Sequence, residues 1–278
     1  MNCIKPSFRR AFTAVELAVV IAGLSIPAML LPALGTAKAK ANRLKCAYNL
    51  STINKSFQGL SIDTDGSTPW LSGAFAPGDT RSERLAQDLG LKEVRDVYNV
   101  ETIWRFYTLR QSLGGLSSLC SPSDPAAAAN LKQHRVKTFD EYRERSDFIV
   151  PRQIQSYALH MGGDVTAPGT IMATTRNFDG DDAVPTKKPG ANNIVPNLGR
   201  SLRSKNLKHA HFIGADEASH SRVMGGLNAS QGNIVTSDGA VRQATDADLH
   251  QAIRRHSNSW AEGSHGIALD ENLSRPRQ

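Results

Sequence analysis

The chain has 278 residues, 40% of them hydrophobic, 21% charged and 6% aromatic, which suits one large domain or two small ones and excludes wholesale disorder. Lys plus Arg (33) exceeds Asp plus Glu (26), but Lys5, Arg9 and Arg10 lie in the first eleven residues, and the thin surplus left elsewhere makes no nucleic-acid footprint. A mean hydropathy of -0.36 excludes a polytopic membrane protein.

One segment departs from that average. Leu17 to Ala37 carries no charge, and about 20 apolar residues in a helix span a bilayer core. Lys5, Arg9 and Arg10 precede it and Lys38, Lys40, Arg43 and Lys45 follow it, so loop charge gives no clear orientation. Glu16 stands at the head of this run, where a carboxylate costs roughly 2.5–3.5 kcal/mol on insertion scales and marks function or a partner. Three readings stay open: a plain signal anchor, a secretory signal cleaved after Gly35 and Ala37, and a short leader removed ahead of Glu16. The long apolar run and the carboxylate both count against the secretory reading.

Past the apolar run, Cys46, Leu50, Ile53, Phe57 and Leu60 follow helical spacing and make one stripe, with Gly59 as a stop. A single helix is expected from about Phe12 to about residue 58. Residues 61–79 read as loop, and Thr80 with Glu83 forms a capping box before a short helix. A further helix is expected over 100–113, with Val100, Ile103, Trp104 and Tyr107 on one face and Gly114-Gly115 ending it. A charged helical stretch is expected to run to about Arg145. SYALHMGG, GTIMATTRNF, KHAHFIGADE and QGNIVTSDGAVRQ read as strands, with Asp238-Gly239 as a hairpin turn. Residues 179–199 read as an irregular insertion. Thr245 and Asp248 cap a last helix, and the polar tail from residue 257 is expected to lack order. The fold class expected is α+β: a long N-terminal helix packed on an antiparallel sheet.

The segment RRAFTAVELAVVIAGLSIPAMLLPAL, followed by AKAKANRLKCAYNLSTI, resembles the prepilin-type cleavage and methylation segment of type IV pilins and type II secretion pseudopilins. It is most similar in kind to the pilin-like proteins of planctomycetes and verrucomicrobia. Further patches resemble that family: LCSPSDPAAAAN, with Ser121 inserted after Cys120; the strands QSYALHMGGD and GTIMATTRNF; and the C-terminal pair around Asp238-Gly239. A subset of the family has His ten residues before that Asp, where this chain has Asn228.

The resemblance implies a leader 1–11 ending at Ala11, where the family usually has Gly, and a mature, N-methylated terminus at Phe12. It implies Glu16 as the assembly carboxylate, paired with the α-amino group of a neighbouring copy, and Pro32, with an extra Pro27, as helix kinks. The domains implied are a transmembrane and stalk helix 12–58, an extracytoplasmic head 59–256 and a tail 257–278. The implied protein is a single-pass inner-membrane subunit of a pilus or pseudopilus, its leader cytoplasmic and its head periplasmic or in a filament. Its partners would be prepilin peptidase, other pilin or pseudopilin subunits and membrane lipid, with no nucleic acid. The alternative is a membrane-anchored or secreted binding domain.

With Cys3 in the leader, Cys46 and Cys120 remain as an even pair on the oxidising side. A bond between them would close a long loop, worth about 4 kcal/mol in the chain-entropy model. His209, His211, Asp216, Glu217 and His220 form a metal-like cluster without a strong zinc spacing. Asp179, Asp181 and Asp182, and Asp63 with Asp65, offer oxygen ligands to calcium but complete no EF-hand loop, so solvated turns and no cofactor are the expectation. There is no G-x-S-x-G, H-E-x-x-H or P-loop, and the chain is not expected to be an enzyme.

Overall fold

The computed structural model describes residues 13–63, 68, 87, 100–134, 138–139, 141, 149–160, 163–179, 210–217 and 223–261, except the side chains at 17–18, 20–31, 179, 257 and 260–261. The chain divides into two units, Met1–Ala41 and Asn42–Gln278. Helix α1 is Ala14–Asp63. Most of the apolar run Leu17–Ala37 has side chains outside the description, and among the described residues no helix is long and apolar enough to cross a membrane.

The second unit is α+β. β1 (Tyr157–Leu159), β2 (Ile171–Thr175), β5 (Gly232–Thr236) and β6 (Val241–Ala244) form an antiparallel sheet in the order β1-β2-β5-β6. β3 (Phe178–Asp179) and β4 (His211–Phe212) pair separately. The period of two sends neighbouring side chains to opposite faces. Val235 joins a core with Cys46, Leu50, Ile53, Phe57 and Leu60, whereas Ile234 joins Ile171, Phe178, Phe212, Leu249 and Ile253. The apolar stripe of α1 therefore covers one face of the sheet. The other face is covered by α4 (Asp246–Ala261). A bulge between Ile171 and Ala173 shifts the β2–β5 register.

Several local expectations need correction. Gly59 does not stop α1, which runs on to Asp63; an added Cβ there would meet Ser112 and Thr108 only at ordinary contact distance, and Leu60 is buried one residue later. No single helix spans 100–113. A 3₁₀ turn over Ile103–Arg105 is separated from α2 (Tyr107–Leu113) by Phe106, which takes an extended backbone and buries its ring. The break leaves Tyr107 exposed, not on the buried face with Val100, Ile103 and Trp104. Trp104 sits 6.4 Å from Phe57, centroid to centroid, and its indole N–H donates to Gln155 Oε1 at 3.0 Å. The Gln155 amide in turn donates to the carbonyls of Val100 and Val150, so the burial of the indole and amide leaves those groups satisfied. Gly114 closes α2 at φ 71, a left-handed position that favours glycine.

α3 is Pro125–Gln133, shorter than the stretch expected to reach Arg145. Most of the remainder of that stretch, the Thr80–Glu83 box and most of the expected loops at 61–79 and 179–199 lie outside the described residues. At the C-terminus Thr245 and Asp248 form the capping box: Thr245 N–H and Oγ1–H donate to Asp248 Oδ2 at 2.9 and 2.7 Å. α4 continues past His256 to Ala261. His256 is buried and accepts the Ile171 N–H at 2.9 Å, and Ser259 donates to the Pro168 carbonyl. Those tertiary bonds carry the helix into what reads as a polar tail.

Candidate functional site

At the head of α1, Thr13 precedes the first helical residue and Glu16 follows three residues later. Thr13 N–H and Oγ1–H each donate to Glu16 Oε2 at 2.9 Å, and Glu16 N–H donates back to Thr13 Oγ1 at 3.3 Å. This is a reciprocal capping box, which satisfies otherwise orphaned amides of the first turn. A carboxylate there is also favoured by the positive end of the helix dipole. The T-x-x-E spacing was the sequence signal for it. Glu16 is exposed, as are Val15 and Val19 on the same turns, so the carboxylate keeps lone pairs open to a partner. Ala11 and Phe12 lie outside the described residues, as does the side chain of Pro27. Pro32 is exposed, and its carbonyl accepts the Thr36 hydroxyl at 2.8 Å, a back-bond of the kind that accompanies helix bending.

The second constellation joins α1 to the segment Cys120–Asp124. Asn49 Nδ2 donates to the Cys120 carbonyl at 2.9 Å. Asp124 receives Arg176 as a fork, Nε to Oδ2 at 2.6 Å and Nη2 to Oδ1 at 3.0 Å, both side chains being fully buried. The same carboxylate accepts Ser156 Oγ at 2.9 Å and caps α3 through Ala127 N–H at 3.2 Å, with Pro125 pre-set for the first turn. Ser156 Oγ meanwhile accepts the Ser121 N–H at 3.0 Å. Two charges and two serines thus tie the irregular segment to β1 and to the turn after β2. The pairing was not visible in the sequence, where Asp124 and Arg176 stand 52 positions apart.

Cys46 and Cys120 are two free, buried thiols, not the expected disulfide. Cys46 lies among Ser121, Tyr157 and Asn233, while Cys120 is turned to the Ser121 carbonyl at 3.9 Å, so each sulfur has its own polar neighbours. Burial raises both thiols, Cys120 to about 11 with a smaller push from the Asp124 charge. At pH 8 native Cys120 is expected to react with maleimide or a disulfide reagent at least a hundredfold more slowly than a free cysteine, because the thiolate is the nucleophile. Denaturation without reductant, followed by alkylation and mass spectrometry, is expected to find both sulfurs labelled. A bridged pair would leave both unmodified.

Only part of the histidine and aspartate clusters lies among the described residues. His211 is half-buried in β4, Asp216 and Glu217 are exposed, and Glu217 accepts the Gly214 N–H at 3.2 Å. His209 and His220 lie outside the described residues, as do Asp65, Asp181 and Asp182 and the side chain of Asp179. Asp63 accepts the Thr108 hydroxyl at 2.7 Å. Among the described residues no group of three or more His, Cys, Asp or Glu could hold a metal ion.

Sequence reasoning missed a buried pair of a different kind. His160 Nε2 bonds Thr174 Oγ1 at 2.9 Å, and its ring meets Phe178 edge-on at 5.3 Å. His160 Nδ1 has no hydrogen-bond partner. Burial pushes His160 and His256 down to about 3, and the proximity of His256 adds to the effect on His160. Both rings are neutral and buried beside β2. No family model, no curated protein and no solved structure matches this chain.

Proposed function

We propose that the chain is a pilin-like subunit of a type IV pilus or type II secretion pseudopilus. Prepilin peptidase would trim it after Ala11, and its N-terminal helix would assemble it in or from the inner membrane. One observation carries this reading. The second half of α1 buries one stripe in the α+β unit, with Cys46, Leu50, Ile53 and Phe57 at 0% exposure, while the same helix begins with an exposed carboxylate and exposed valines. A helix that is core at one end and exposed at Val15, Glu16 and Val19 near the other suits a subunit that completes itself against copies of its kind. After cleavage the new ammonium of Phe12 would stand four residues before Glu16, and an ammonium from one copy meeting the carboxylate of the next offsets two desolvation costs.

A second reading has its own support. The Thr13–Glu16 capping box gives Glu16 a use within its own helix, which a plain membrane anchor would need as much as a filament subunit. Terminal sequencing separates the two. A mature chain beginning at Phe12 supports processing and assembly; an intact Met1 supports the anchor. Glu16→Gln can still accept from Thr13 but has no charge, so filament incorporation is expected to fall at least tenfold with helix content unchanged. Unchanged incorporation would leave Glu16 a helix cap alone.

A further inference from the structure

From Leu17 to Ile62 helix α1 carries no acidic residue, and Asp63, where it ends, is the first acid after Glu16. The same stretch carries five cations. Four of them, Lys38, Lys40, Arg43 and Lys45, stand within eight residues of the end of the uncharged run at Ala37. Every residue from Pro32 to Ala41 is exposed, and so is Lys45. Lys38, Lys40 and Lys45 make no hydrogen bond or ion pair among the described residues. Arg43 donates to the neutral Gln231 Oε1, so its charge too is uncompensated there.

Such a cluster is not neutral for insertion. Lys and Arg close to the end of a spanning segment favour the cytoplasmic side for that end. The proposed function sends Lys38 and the residues after it to the opposite side, against that bias. Four cations kept there without counter-charge call for an anion, and their placement says which kind. At about 100° per residue, Lys38 and Lys45 share one side of the helix, while Arg43 and Lys40 lie about 140° and 160° away from Lys38. A protein docked on one side would meet some of them; a layer of headgroups surrounds the helix and meets all four. Depth agrees. At about 1.5 Å per residue, Lys38 and Lys40 stand within about 5 Å of Ala37 along the helix, and Arg43 and Lys45 about 9 and 12 Å beyond it. The headgroup layer on one side of a bilayer is about 5–7 Å deep, and its field reaches a further Debye length of about 8 Å. The alkyl stems of lysine also let the ammonium groups turn back toward the surface. Lys55, about 27 Å past Ala37, lies outside that range.

We propose that Lys38, Lys40, Arg43 and Lys45 form a collar that binds the headgroup phosphates of anionic phospholipid at the membrane surface. The collar rests on the reading of Leu17–Ala37 as a membrane span, and it needs neither leader cleavage nor filament assembly. A lysine ammonium is a compact point charge on a flexible stem, so it follows mobile lipid phosphates without a fixed docking geometry. Each cation near an anionic surface strengthens the contact about fivefold, and added salt screens it. Lipid held this way fixes the depth of α1, with Ala37 at the edge of the hydrocarbon core.

The test titrates the full chain in neutral detergent with equal amounts of phosphatidylglycerol and phosphatidylcholine, and native mass spectrometry counts the lipids retained. In about 0.1 M ammonium acetate the anionic lipid is expected to be retained at least tenfold over the zwitterionic one, and in about 1 M that ratio is expected to fall at least threefold. The triple variant Lys38→Gln/Lys40→Gln/Lys45→Gln is expected to lower the preference at least fivefold, while Lys55→Gln keeps the parent value. All four lysines are exposed, so these substitutions leave the core intact. Flotation with vesicles of phosphatidylcholine alone tests the span separately. A chain that does not enter them overturns the spanning reading and the collar together; a chain that enters them yet retains both lipids equally overturns the collar alone. A triple variant with the parent's preference, or a Lys55→Gln loss as large as the triple variant's, also overturns it. So does a triple variant that loses a co-purifying acidic protein but keeps its lipid preference, since the cations would then serve a protein.

Discussion

Arg176→Met is expected to lower the unfolding free energy by about 3–5 kcal/mol, the range for removing one partner of a buried ion pair. The substitution keeps the volume of the side chain but leaves the Asp124 carboxylate, fully buried, with only Ser156 and the Ala127 amide for partners. A buried carboxylate without its counter-charge carries a desolvation penalty that two neutral donors do not repay. Asp124→Ala should be at least as damaging, because it removes the α3 cap, worth about 1 kcal/mol, along with the pair. The double variant Asp124→Leu/Arg176→Met should recover part of the loss, since no charge is then stranded. Urea unfolding followed by the emission of buried Trp104 measures all three. A loss below about 1 kcal/mol for Arg176→Met would mean that water reaches the pair.

Acid is expected to unfold the α+β unit between pH 6 and pH 4. His160 and His256 bind a proton near pH 6.5 when unfolded but only near pH 3 when folded, as burial disfavours the cation. Between those values the unfolded chain holds more protons, so stability is complete above pH 6.5 and falls as the pH drops toward 3. At 1.36 kcal/mol per unit, one such ring accounts for about 5 kcal/mol by pH 3, a large part of any domain's stability. Protonation has a structural route at each site. The His256 nitrogen that accepts the Ile171 N–H would become a donor facing a donor, and the two nearby rings would repel once charged. His160→Gln removes one titrating group and should flatten the stability–pH slope below pH 6.5, whatever its effect at neutral pH. Equal slopes in variant and parent would show that the ring takes no part.

How much of this could be read beforehand depends on how far apart the interacting groups stand. The stripe from Cys46 to Leu60 was legible because burial on one side of a helix imposes a 3.6-residue period that survives without knowledge of the partner. The Asp238-Gly239 turn, with Gly239 at φ 87, was legible because a tight hairpin needs a residue that tolerates positive φ. The Thr245–Asp248 cap closes over three residues, and so does the Thr13–Glu16 box. The candidate site was legible only in part: the sequence singled out Glu16 and Arg43 as charges beside an apolar run, but not what Arg43 faces.

The sequence by itself determined the α+β alternation of helix and strand, the buried face of α1 and the local caps, because each is a contest among residues a few positions apart. Only the tertiary structure decided that α1 passes Gly59, that Phe106 breaks a helix and that α4 outlasts His256. It alone joined Asp124 to Arg176, left Cys46 and Cys120 unbonded and sealed two histidines beside β2. In each of these cases a weak local preference yields to burial or to a hydrogen bond from a distant part of the chain, and neither leaves a period in the sequence.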